Sequence, residues 1–129
     1  MNKILVEVSV GELLDKISIL EIKKEKISSE DSLVFIDREY TVLKEQLDKN
    51  IKYDDQLKML FLTLKKININ LWDIENEKRL YEKNSDFNEK FIKVSRDIHF
   101  LNDDRSKIKL EINNYTGSKI KEVKEYTSY

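Results

Sequence analysis

Positions 57, 60, 64, 67, 71, 74, 78 and 81 step by three and four, and so do 87, 91, 94, 98, 101, 105, 108, 112 and 115. Almost all carry apolar side chains. That spacing draws one face of a helix, and two such faces in succession make a seam that two long helices can share. Proline and glycine punctuate helices. The 129 residues hold no proline and two glycines, so long uninterrupted helices are expected.

Local signals divide the chain into four helices. Ser9 and Glu12 form an S-x-x-E capping box, with Val8 and Leu13 as its hydrophobic staple. Helix 1 then shows an inward stripe of Leu13, Ile17, Leu20, Lys24 and Ile27. The cluster Ser28 to Ser32 breaks that pattern and caps helix 2, expected from about Ser32 to Asp48 with Leu33, Ile36, Tyr40, Leu43 and Leu47 inward. Helix 3 is expected over Asp54 to Tyr81, and helix 4 over Asp86 to Tyr115 after an Asn84-Ser85-Asp86 turn. Gly117 suits a left-handed stop residue. Residues 1–8 form an extended arm and 116–129 a tail.

Facing residues of antiparallel helices have numbers that add to a near-constant. The pairs Leu13/Leu47, Ile17/Leu43 and Leu20/Tyr40 obey this for helices 1 and 2, Leu47/Leu57, Leu43/Leu60 and Tyr40/Leu64 for helices 2 and 3, and Leu57/Ile112, Leu60/Ile108 and Leu71/Ile98 for helices 3 and 4. The fold expected is a single all-α domain, an up-down antiparallel four-helix bundle with coiled-coil-like seams. Helices 3 and 4 outrun the other two, so their hairpin should protrude. Trp72, Leu80, Phe91 and Ile92 on that tip form an apolar patch, and a second copy is its simplest cover. A symmetric homodimer is therefore expected.

Two layers of this bundle contain charge. Arg105 shares a level with Leu20, Tyr40 and Leu64, and Lys24 falls on the next level, along the same helix 1/helix 4 seam. Buried cations need negative partners. Glu21, Glu25 and Asp104 are in sequence reach, and the Tyr40 hydroxyl can add a hydrogen bond. Such a cluster either sets helix register or forms a pocket for a small anion, phosphate or carboxylate. The polar run Asn102-Asp103-Asp104-Arg105 interrupts helix propensity where the inward charge sits.

A second constellation is acidic. Asp73 and Glu77 lie one turn apart, with Asp97 opposite, and carboxylates so placed can hold Mg²⁺ through water. The alternative is a solvated face laced with Lys78 and Arg79. His99 is the only histidine and reads as a boundary residue. No cysteine is present, which excludes disulfides and thiolate metal sites. A net charge of −1 argues against nucleic acid as a partner. Glu7 interrupts the apolar start, and no run approaches the roughly 20 residues of a membrane helix, so a cytoplasmic protein with no membrane contact is expected.

Several segments carry a resemblance: Val8-Ser9-Val10-Gly11-Glu12-Leu13-Leu14-Asp15-Lys16-Ile17, Leu71-Trp72-Asp73-Ile74-Glu75, Asn102-Asp103-Asp104-Arg105, and Thr116-Gly117-Ser118-Lys119-Ile120. Over nearly its whole length the chain resembles an uncharacterised bacterial family known only as a domain of unknown function. That resemblance implies an association with surface-carbohydrate loci and marks Asp15, Lys16, Glu21, Asp73, Asp103 and Arg105 as motif residues. A weaker similarity to helical chorismate mutase extends to fold alone. Two functions are open at this level. One is a non-catalytic oligomeric interaction or small-anion-binding module. The alternative is a Mg²⁺-dependent enzyme acting on a nucleotide or another phosphorylated small molecule.

Overall fold

The computed structural model describes residues 2–129 and contains four helices, α1 (Val10–Lys26), α2 (Glu30–Asn50), α3 (Asp55–Lys83) and α4 (Glu89–Thr116). Each start has a side-chain cap. Ser9 accepts from the Glu12 amide, Ser29 from Ser32, Asp54 from Leu57, and Asn88 from Lys90 and Phe91. Of the serines before α2, Ser29 becomes the cap. That places Glu30 and Asp31 in the first turn, where the positive end of the helix dipole favours them. α4 begins at Glu89 and not at Asp86, because Asn88 supplies the acceptor. Ser85 adopts a left-handed φ of 52° in the turn between α3 and α4. At the far end Gly117 is left-handed, with φ 68°, and closes α4 as its sequence position suggests. Despite its polar run, α4 passes unbroken through Asn102 to Arg105.

The molecule is an all-α four-helix bundle, and α3 and α4 form its most extensive helix pair. Its cross-section differs from a square ring. α1 packs against all three other helices, whereas α2 approaches only α1 at the backbone level. The reason is on α1, which buries two stripes. Leu13, Ile17 and Leu20 form the expected one; Gly11, Asp15, Ser18 and Ile22 form a second. Gly11 permits the closest approach. A Cβ there would stand 2.5 Å from the Lys109 carbonyl oxygen, and the Gly11 amide donates to Asn113 Oδ1 at 2.7 Å.

The expected layer Leu13/Leu47/Leu57/Ile112 is fully formed, with all four side chains buried in one cluster. Phe61 joins that cluster as a buried residue, and Leu60 sits at its edge. The antiparallel register of α3 and α4 is fixed at one end by Tyr115, whose hydroxyl donates to Asp54. Lys26 at the end of α1 pairs with Asp73 of α3 at 3.8 Å. About ten further residues of α3, some 15 Å at 1.5 Å per residue, therefore extend past the end of α1 as the expected hairpin. No helix is long and apolar enough to cross a membrane.

Candidate functional site

The chemistry of the fold is concentrated where the second stripe of α1 faces α4. Asp15 is 1% exposed. Arg105 grips it bidentately, Nε to Oδ1 at 3.0 Å and Nη2 to Oδ2 at 2.5 Å. Asn68 of α3 donates from Nδ2 to Asp15 Oδ1 at 2.9 Å and to Ser18 Oγ at 2.8 Å, and Ser18 donates in turn to the Asp15 carbonyl. One turn along α4, Lys109 lies 3.8 Å from Asp15 and bonds Glu12 at 2.7 Å. Burial alone would raise the Asp15 carboxyl. The hydrogen bonds from Arg105 and Asn68 and the charges of Arg105 and Lys109 outweigh it, and the carboxyl lies below its usual range.

Arg105 stands between two clefts. On one side, a cleft of about 490 Å³ is walled by α1, α4, the N-terminal arm and the tail. Ser9, Glu12, Arg105, Lys109, Lys121 and Lys124 line it. Glu122 of the tail reaches Lys109 at 3.3 Å, and the carboxyl of Glu122 falls because this attraction and that of Lys124 exceed the effect of desolvation. On the other side, between α1, α3 and α4, lies a cleft of about 370 Å³ that also exposes Trp72.

With this geometry in place, sequence comparison is decisive on one point. Residues 4–129 match the profile of a family of unknown function, DUF6165. The chain belongs to that family. No curated protein matches it, and no solved structure does.

In this DUF6165 chain Arg105 is the half-buried cation expected at the α1/α4 seam, but its acid is Asp15. Glu21 and Asp104 do not meet it. Asp104 is exposed, and Glu21 accepts from Lys65 at 3.0 Å and from the Tyr40 hydroxyl at 3.3 Å. Lys24 is separate from Arg105 as well. It pairs with Asp37 at 3.1 Å and lies over the Tyr40 ring, 4.1 Å from its centroid. So the expected seam divides in two: Lys24, Tyr40, Glu21 and Lys65 at the α1/α2/α3 junction, and Asp15, Asn68, Arg105 and Lys109 facing α4. Asp15 escaped the inward stripe because it lies two positions from Leu13 and from Ile17, on another face of α1. The usable signal was Gly11-x-x-x-Asp15-x-x-Ser18, a helical spacing that shadows the apolar one.

Asp73, Glu77 and Asp97 each have their own partner. Asp73 faces Lys26, Glu77 accepts from the Tyr81 hydroxyl at 3.1 Å, and Asp97 pairs with Lys93 at 2.7 Å. Among the described residues no three carboxylates or imidazoles gather where they could share a metal ion. At the tip, Leu80 and Ile92 are more than half exposed, while Phe91 is half-buried edge-on against Phe87. Trp72 does not join them, since it turns toward the inner cleft. His99 is exposed on α4, with the tail's Tyr129 ring 4.9 Å away.

Proposed function

We propose that this protein is a non-catalytic helical module that binds a small anion between α1 and α4 and self-associates through its α3/α4 tip. We place it in the cytoplasm, as expected from its sequence, and in bacterial surface-carbohydrate metabolism, the setting its motif resemblance implies. The observation that carries the anion site is the clamp on Asp15. A buried carboxylate fixes Arg105 and leaves Lys109 beside it at the wall of an open cleft. The guanidinium has donors left over after its two bonds to Asp15, and Lys121 and Lys124 add positive charge at the rim. Glu122 already lies there as the chain's own carboxylate, with Glu7 and Glu12 on the same lining, so an incoming anion takes the place of Glu122 on Lys109. A phosphate or carboxylate entering the cleft meets oriented donors and a flexible cationic rim.

A thermal-unfolding titration with inorganic phosphate tests this. The melting temperature should rise with phosphate, since a ligand at 100 times its dissociation constant adds about 2.7 kcal/mol. The rise should shrink in a Lys121→Gln/Lys124→Gln double variant, whose folded core is untouched. A rise of equal size in sodium chloride at matched ionic strength would reduce the effect to screening and overturn the reading.

A further inference from the structure

The cleft on the opposite side of Arg105 has a different character. Its floor is apolar, made of Ile22 (1% exposed), Leu71 (7%) and the half-exposed Ile19. One wall is a single stripe of α3, Trp72, Glu75, Asn76 and Arg79, spaced i, i+3, i+4 and i+7. Neither the arm nor the tail reaches it; both border the other cleft. Two polar groups there lack partners in the described chain. Arg79 is exposed and makes no ion pair, although α3 carries acids on either side of it. Asn68 is 5% exposed, and both of its hydrogen bonds leave from Nδ2. Its Oδ1 is an acceptor without a donor. Among the described residues Ser95 Oγ is the one side-chain oxygen sealed from solvent without a bond, so the Asn68 oxygen is not sealed, and Asn68 lines this cleft.

We propose that this cleft binds a mononucleotide, with the base against Trp72 and the phosphate on Arg79. An apolar floor and an indole wall suit a planar ring. An acceptor with no protein donor at the edge of the cleft suits an N–H donor, which the edge of a base such as adenine presents. The open arginine asks for an anion. The two ends are correctly spaced for one ligand. Arg79 is eleven residues beyond Asn68, about 16.5 Å along the helix, and its side chain, leaning toward the helix N-terminus, shortens that span toward the length of a mononucleotide. An inorganic anion would leave both the floor and Asn68 Oδ1 unsatisfied. A polyhydroxylated ring would set hydroxyls on the apolar floor.

Trp72 is the chain's only tryptophan, so its emission reports this cleft alone. The test titrates the full chain with AMP, adenosine and ribose 5-phosphate, exciting at the red edge of indole absorption. AMP and adenosine should change the emission along saturating curves, AMP at lower concentration, and ribose 5-phosphate should leave it unchanged. Arg79→Gln should raise the AMP midpoint about tenfold, the equivalent of one charged hydrogen bond, and leave the adenosine midpoint where it was. Circular dichroism of that variant should match the parent. The assignment is overturned by a linear, non-saturating response to millimolar AMP, by no response at all, by ribose 5-phosphate acting as strongly as AMP, or by an AMP midpoint indifferent to Arg79. Binding in the other cleft, which Trp72 does not line, is read by thermal unfolding with phosphate, so the two sites are tested by different signals.

Discussion

Asp15 is nearly sealed from solvent yet stays ionised, and three donors explain why. Arg105 and Asn68 bond its oxygens and Lys109 adds charge, so the protonated form is the less stable one inside the fold. Asp15→Asn removes that charge and leaves Arg105 and Lys109 facing an amide. Breaking a buried pair from one side typically costs 3–5 kcal/mol; because Arg105 is part-exposed, we expect about 3 kcal/mol by urea denaturation. The pH dependence has a definite sign. A carboxyl lowered in the folded state contributes stability that is present above its unfolded pKa, about 3.9, and lost as pH falls below that toward the folded value. Stability measured from pH 5 down to pH 3 should thus fall more steeply in the parent than in Asp15→Asn. Parallel curves would assign the acid sensitivity elsewhere. In the sequence, Arg105 was legible as an inward cation from its place in an apolar stripe. Its acid was not, because Asp15 lies two positions from Leu13 and Ile17, on a second face of α1 that is buried only by the packing of α3 and α4 against it.

Among the elements, α1 is the one whose sequence tells most about its ends and least about its surroundings. Ser9, Glu12 and the apolar stripe are local signals, and they set its start and one face correctly. Its central position depends on Gly11, whose lack of a side chain is visible in sequence but whose facing carbonyl is not. Gly11→Ala should force the Lys109 carbonyl and the Asn113 amide apart and cost on the order of 2 kcal/mol, read as a lowered denaturation midpoint. Gly117→Ala meets no atom within 4 Å and should cost only its left-handed backbone, about 1 kcal/mol. Equal effects of the two substitutions would remove the close α1/α4 approach from the account. α2 presents the opposite case. Its inward face is present, but Val34, Phe35 and Val42 on its other sides stay more than half exposed because only α1 lies alongside it. A helix held by one neighbour opens at lower free energy, so α2 amides should exchange hydrogen before those of α1 and of the α3 core. The numerical pairing of facing residues cannot show this, since it fixes level along the axis but not which helices are adjacent around it.

For the whole molecule, the shape itself poses the last question. α3 and α4 extend beyond α1, and on that extension Leu80, Phe87 and Ile92 are 59%, 57% and 56% exposed. A two-fold axis that pairs two tips covers each of these side chains in both copies. The loss of independent motion on association offsets much of what that burial contributes. The tip therefore supports a weak, concentration-dependent dimer and not an obligate one. Light scattering should show the mass rising from monomer toward dimer as concentration climbs through the high-micromolar range. Leu80→Ser with Ile92→Ser should hold the chain monomeric at every concentration, and because both side chains point outward, the unfolding midpoint of the dilute protein should not move. A mass that stays monomeric in the parent to about 1 mM, the weak end of the affinity scale, would leave the exposed tip without a second copy as its partner. A double variant that still dimerises would move the interface to another apolar face, such as the outer side of α2 with its exposed Val34, Phe35 and Val42.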